Sequence, residues 1–387
     1  MVLQLLNLRV ELKLYESPSP ICLLRSHSSA VSTLSISTDN ERIYSGDTVG
    51  QVIVISTRSL RPLASWKAHT DSLLGIEEWG SQIITHGRDN KLHSGPATLS
   101  DLSTPTTCYS MDVNTLNYCR FSLLVLAGAS TQEGLLAAPN LVESALADIW
   151  SLPSCQRLHA AIGDPLDTSA TAFSDGRSGS KSRIIMSMHL FYSALSAPSS
   201  SIVVLRKRTA HETKQTVEGR GWEVVWKSKL HVESVMAMAV SSDCTLALTV
   251  SADYLKTQEA SESTPAGTAF KIKHPGNGAV AIRSDGRVCA IGGWDGKVQL
   301  YSTKTLKLLG TLVCQTVTFA SHIDRVPLGG DLKEGDSCSD EDEITVEEKH
   351  ARGRWLIAGS TNAKVSIWAL MDFEKTSTSV EPMPMVK

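Results

Sequence analysis

The chain is 387 residues long, 42% hydrophobic and 20% charged, with a formal net charge of −3. That is enough apolar sequence for a sizeable core, and the near-neutral balance argues against a general nucleic-acid binder, which carries a basic surplus. No apolar run reaches the length of a membrane span or a signal h-region, and the eight cysteines form no CxxC pair, so free thiols in a cytosolic or nuclear compartment are expected.

Residues 1–18 read as an N-terminal extension. From His27 a unit recurs. His27 is followed by Ser45-Gly46-Asp47-Thr48-Val49-Gly50 and the alternation Val52, Val54. His69 is followed by Thr85-His86-Gly87-Arg88-Asp89, His231 by Thr249-Val250-Ser251-Ala252-Asp253, and His274 by Gly292-Gly293-Trp294-Asp295-Gly296 running into Tyr301. Ala358–Trp368 repeats the ending without a matching His. The interval from His27 to Val49, His69 to Asp89, His231 to Asp253 and His274 to Asp295 stays within 20 to 22 residues, a register that scattered histidines would not keep.

Short β-rich runs (Val31–Ser37, Ile53–Ile55, Val235–Val240, Val298–Tyr301) alternate with turn residues (Asp39-Asn40, Asp243, Ser284-Asp285-Gly286, Asp295-Gly296). This predicts small antiparallel sheets whose Asp-Gly pairs make tight primed hairpins. One such sheet cannot bury both of its faces; copies packed radially around an axis can. The expected fold is therefore all-β, a propeller of about seven blades over residues 19–370. The blades fall at 27–66, 67–108, 109–158, 159–228, 229–271, 272–312 and 313–370, and 371–387 form a tail.

Some blades look degenerate or short of coding sequence. His93-Ser94-Gly95-Pro96 follows Leu92 where an alternating strand is expected, Lys256-Thr257-Gln258 looks like a turn, and blade four lacks an Asp-Gly turn between Tyr192 and Val203. Blades two, four and five should thus be irregular, and blade seven looks shortened at Leu312–Phe319. Asp164–Ser182 reads as a flexible loop. The insert at 329–349, with Asp336, Asp340, Glu341, Asp342, Glu343, Glu347 and Glu348, reads as a solvated acidic loop, or as a docking element for a basic partner tuned by phosphorylation of Ser337 or Ser339. Arg206-Lys207-Arg208 is a solvated blade edge or an import or phosphate contact.

No GxSxG elbow, P-loop, HExxH or paired-cysteine ligand set occurs. The sequence predicts no catalytic residue, no cofactor and no metal.

The order His, Ser/Thr, Asp, Trp resembles WD40 repeats. The resemblance implies that these side chains form a hydrogen-bonded relay locking each blade. The implied members are His69, Thr85 and Asp89; His231, Thr249 and Asp253; and His274, Asp295 and Tyr301. In the fourth unit Ile291 replaces the hydroxyl residue and Tyr301 the Trp; in the first, Val49 stands where the Asp belongs. Pro20–His27, Trp66–His69, Ile84–Leu92, Asp148-Ile149-Trp150, Arg157-Leu158-His159 and Gly293-Trp294-Asp295-Gly296 resemble the fungal ASTRA-associated protein 1 family. That resemblance implies that Ser19–Arg25 closes the ring as the outer strand of the last blade. It also implies a non-catalytic WD-repeat scaffold in the nucleus, with the cytoplasm as an additional location. Its partners would be a phosphatidylinositol-kinase-like protein, AAA+ ATPases and Tel2–Tti adaptors, in chromatin remodelling and kinase assembly, without direct nucleic-acid or membrane contact. A ubiquitin-ligase substrate receptor or a G-protein-β-like signalling module is the alternative. Arg88 and Trp294 share one repeat position, just before Asp89 and Asp295. They are either an interaction surface or, respectively, a partner of a local acid and a contact with the neighbouring blade.

Overall fold

The computed structural model describes residues 19–96, 107–116, 118–126, 133–163, 184–191, 203–207, 222–227, 231, 234–252, 255–259, 267–270, 272, 276–313, 319–321 and 345–370. The N-terminal extension, the tail, the 164–182 loop, most of the acidic insert, Arg208, Asp253 and His274 lie outside the described residues.

Among these residues the strands form seven antiparallel sheets, six of them four-stranded. Blade one runs Val31–Ile36, Arg42–Asp47, Gln51–Ser56 and Pro62–Lys67 in hydrogen-bonded order. Blades two, three, five and six repeat this meander over 73–112, 122–162, 235–270 and 277–313, and blade four contributes Val203–Lys207 paired with Trp222–Lys227. The last sheet joins Phe319–Ser321, Trp355–Gly359 and Val365–Ala369 to Cys22–Leu24, whose residues oppose Ile367, Ser366 and Val365. The ring is thus closed by a strand from the other end of the chain.

Strand alternation puts the core between blades. Along Gln51–Ser56, Val52 and Val54 join Tyr44, Leu73 and Ile76 between blades one and two, while Ile53 and Ile55 join Ile43, Ile357 and Ile367 between blades seven and one. Equivalent clusters fill the contacts two–three, five–six and six–seven. The first strands of blades one, two, three, five and six line an axial channel of roughly 1780 Å³, and residues 186–191 form part of its wall.

Several sequence expectations need correction. The turns are not primed: in Gly293–Gly296 the Gly296 amide reaches the Gly293 carbonyl at 3.2 Å, and Gly296 (φ 77°) is left-handed whereas Asp295 is not. Ser37–Asn40, Asp47–Gly50, Ser241–Cys244 and Ser360–Ala363 share this turn, which places only its fourth residue at positive φ. Blade two has its third strand, Lys91–Pro96: Ser94 bonds Gln82 at 2.5 Å, and Pro96 ends the strand where a missing N–H matters least. Its fourth strand, Tyr109–Asp112, moves the blade boundary beyond 108. Blade five also has four strands, because Leu255–Glu259 pairs on both edges through its backbone and needs no apolar alternation to do so.

The insert ends in a helix, Val346–Arg352. Thr345 and Glu348 make a capping box: the Glu348 amide donates to Thr345 Oγ1 at 3.2 Å and the Thr345 amide to Glu348 Oε2 at 3.1 Å. Lys349 then pairs with Glu41, in the first turn of blade one, at 2.6 Å. No helix of the described residues is long and apolar enough to cross a membrane.

Ring closure gives a direct test. Leu24 is buried in the cluster between blades seven and one, so Leu24→Ala should lower unfolding stability by about 2–4 kcal/mol. An unchanged denaturant midpoint would mean that the strand adds nothing to the ring.

Candidate functional site

The connections between blades, which carry the histidines, and the turns between second and third strands emerge on one side of the disc, here the upper face. His69 sits in the connection between blades one and two. Its Nδ1 lies 2.9 Å from Asp89 and its Nε2 2.9 Å from the Thr85 hydroxyl. Burial lowers its pKa against the opposing pull of Asp89, so the ring is neutral. A carboxylate only accepts, so Nδ1–H donates to Asp89 and Nε2 accepts from Thr85. Asp89 also takes the Thr70 amide at 2.9 Å. Burial pushes Asp89 upward, but the Thr70 amide and His69 outweigh it and hold the carboxyl below its usual range.

Blade one builds the same relay from a different residue. His27 contacts the Ser45 hydroxyl at 2.8 Å and Asp47 at 3.0 Å, and the Val49 side chain takes no part. Asp47 is completely buried, and its second oxygen accepts the amides of Val49 and Gln51 at 3.0 and 2.9 Å. The unit therefore has its acid, two positions earlier than expected. In blade two that earlier position is Gly87, where a Cβ would lie 2.3 Å from His69 Nδ1; one acid per relay fits, not two.

His231 meets Thr249 at 2.9 Å, and their third member Asp253 lies outside the described residues. His274 lies outside them too. Asp295 instead accepts the Lys297 amide at 3.1 Å, and Tyr301 is a core residue between blades five and six whose hydroxyl donates to Gln299 at 2.6 Å. Ile291, in the hydroxyl position, offers Tyr301 no relay partner.

His69, Asp89 and His93 present nitrogen and oxygen atoms within 4.8 Å of one another. His93 stacks on His69 with centroids 4.6 Å apart. Both His69 nitrogens are engaged, so a metal would have to displace Thr85 or Asp89; the trio reads as a stacked part of the relay. Behind it, His86 is fully buried beside Phe121, and neither ring nitrogen has a partner among the described residues. Burial first, then the proximity of His69, pushes its pKa down to about 3. Burial likewise pushes the Cys119 and Cys289 thiols up to about 12, which leaves them without thiolate character.

Arg88 and Trp294 both line the upper mouth of the channel but belong to blades two and six. Trp294 lies over Gly276 and is 60% exposed. Arg88 stacks on Tyr118, its guanidinium carbon 4.3 Å from the ring centroid. Around them the upper face carries Val49, Leu116, Tyr118, Leu141 and Val142, all exposed. The other exposed large apolar side chains lie on outer strands and their ends, on the channel wall or in 184–191; among the described residues none lies on a lower-face turn. Sequence reasoning missed these loop residues, because an isolated apolar residue in a turn has no period to reveal it.

No family model matches the chain. A relative from Verticillium alfalfae named ASTRA-associated protein 1 is 32% identical, across 91% of this chain and 93% of its own length. The chain belongs to the ASTRA-associated protein 1 family. A member from Pyricularia oryzae is 29% identical over 91% of this chain and 97% of its own, and one from Schizosaccharomyces pombe is 26% identical over 76% and 90%. This member of the family spans nearly the whole length of its filamentous-fungal relatives, so its seven sheets correspond to most of each relative's chain.

The relays make two predictions. Asp47→Ala and Asp89→Ala should each lower stability by about 1–3 kcal/mol, with Asp47 the larger because its carboxylate is wholly buried and that of Asp89 is partly open to water. Equal melting shifts would refute that ranking. His86 stays neutral in the fold down to about pH 3, whereas the unfolded chain protonates it near the ordinary imidazole value of 6.5. Its contribution is therefore complete above about pH 6.5 and is lost progressively below it, at up to about 1.4 kcal/mol per pH unit. Urea midpoints measured from pH 7 to 5 should fall more gently in His86→Leu than in the wild type; parallel curves would exclude His86 as the acid-sensitive group.

Proposed function

We propose that this protein is a non-catalytic scaffold subunit of the ASTRA complex, nuclear, acting in chromatin remodelling and in assembly of phosphatidylinositol-kinase-like proteins. Its partners in this reading are the kinase-like protein, the AAA+ ATPases and the Tel2–Tti adaptors. The observation that carries the reading is that, among the described turns and inter-blade loops, the exposed large apolar side chains gather on the upper face: a cluster of this kind is what a partner covers. The name shared by its relatives supplies the assembly. The described titratable groups with the largest shifts, His86, Tyr44, Cys119 and Cys289, are locked in the core between or within blades, which suits a rigid platform better than proton transfer in a cleft.

Affinity purification of the intact protein from its own cells, followed by mass spectrometry, should recover the ATPases and the Tel2–Tti adaptors in stoichiometric amounts. Recovery of cullin adaptors in their place would replace the proposal with a substrate-receptor role.

A further inference from the structure

The exposed apolar side chains on the upper face are concentrated over blades two and three, where the loops that carry them are tied together by polar contacts. Thr115, 4% exposed, donates to the Arg88 carbonyl at 3.1 Å or to Asn90 Oδ1 at 2.8 Å. Asn114, also buried, reaches Ser144 of the next blade at 3.3 Å and caps the Leu116 amide at 2.9 Å. Asn140 accepts the Val142 and Glu143 amides at 3.0 and 2.9 Å. Tyr118 is held at φ 56°, a left-handed conformation that costs a non-glycine residue energy and that sets its ring against Arg88. On this braced frame Leu116 is 80% and Val142 82% exposed, with Leu141 and Tyr118 beside them. Such bracing is not needed for solvated loops; it is what a preorganised binding surface requires.

Charge selects the occupant. The Arg88 guanidinium lies at the inner end of this arc over an aromatic face, and no carboxylate of the described residues forms an ion pair with it. Glu143 is exposed at the outer end, beside Val142. A partner segment that covers the leucines and valine while bringing its own carboxylate to Arg88 satisfies both features.

We propose that the arc formed by Arg88, Leu116, Tyr118, Leu141 and Val142 is the docking site for a partner protein's short apolar segment carrying an acidic residue. This rests on the scaffold reading and deepens it by naming the chemistry of the contact. Trp294, on the far side of the channel, is not part of this site.

The test uses the full-length protein and two fluorescein-labelled peptides of one length, one of leucine and glutamate, the other of leucine and lysine, read by fluorescence anisotropy. The glutamate peptide should bind at least about tenfold more tightly, and Arg88→Glu should reverse that preference. Leu141→Ser with Val142→Ser should weaken both peptides, and Trp294→Ala should change neither. Arg88→Gln, milder, should abolish the preference without inverting it, so a folding defect in Arg88→Glu does not end the test. Equal binding of the two peptides, no effect of either Arg88 variant, or an equal loss in Trp294→Ala would overturn the proposal. A dimer in sedimentation that Leu141→Ser with Val142→Ser dissolves would also overturn it, by giving the arc to a second copy. The variants separate the two readings in cells. If wild type recovers the ASTRA subunits and the arc variants recover them equally, the scaffold stands and this site falls. If wild type recovers none, the scaffold reading fails whatever the peptides show.

Discussion

The structure depends on the fact that a small antiparallel sheet with apolar residues on both faces cannot exist alone in water. In blade one, Val52 and Val54 look one way and Ile53 and Ile55 the other. Each of these side chains is worth about 1.5–3 kcal/mol only when a neighbouring blade covers it. Every blade therefore needs two neighbours, and the requirement ends only when the ring closes. Cys22–Leu24 meets that requirement by laying the third blade-seven strand's partner in place from the opposite end of the sequence. The irregularities found in this chain, a two-stranded described portion of blade four and a three-residue first strand in blade seven, are tolerable because the ring needs faces covered more than it needs strands of equal length.

The relays show how the same job is done by different letters. In blade two the acid comes two residues after a glycine that must stay small; in blade one the acid occupies that glycine's place and a valine stands where the acid was expected. The geometry conserved between them is a neutral imidazole held by one carboxylate and one hydroxyl, which fixes the inter-blade connection to the strands beneath it. Because Asp47 is sealed in the protein and Asp89 is partly open, the blade-one version is the more demanding of the two.

Much of this was legible in the sequence. The repeat register and the propeller class follow from the spacing after His27, His69, His231 and His274 and from the short β-rich runs, and the closing strand Ser19–Arg25 is what the family resemblance implies. What was not legible has physical causes. Polar strands such as Leu255–Glu259 hold their place through backbone pairing, which leaves no hydrophobic period to read. The blade-one acid was hidden because a fixed spacing was imposed on a loop that tolerates a shift of two residues. The helix Val346–Arg352 could have been found from Thr345 and Glu348 alone, since a capping box is a local signal, but it was masked by the acidic composition around it. The braced upper loops were beyond reach, because their contacts join residues far apart in sequence, Thr115 to Arg88 within blade two and Asn114 to Ser144 of the next blade.

The way the ring closes has a consequence for handling the molecule. Val365–Ala369 descends from the upper-face turn at 360–364, and Cys22–Leu24 runs antiparallel to it, so the chain passes residues 21 and 370 at the lower rim, within the same blade. A reporter, a purification handle or a tether joined directly at either point therefore starts from the side away from Arg88 and Trp294. Immobilised in that way, the protein would turn its upper face outward, as an open platform.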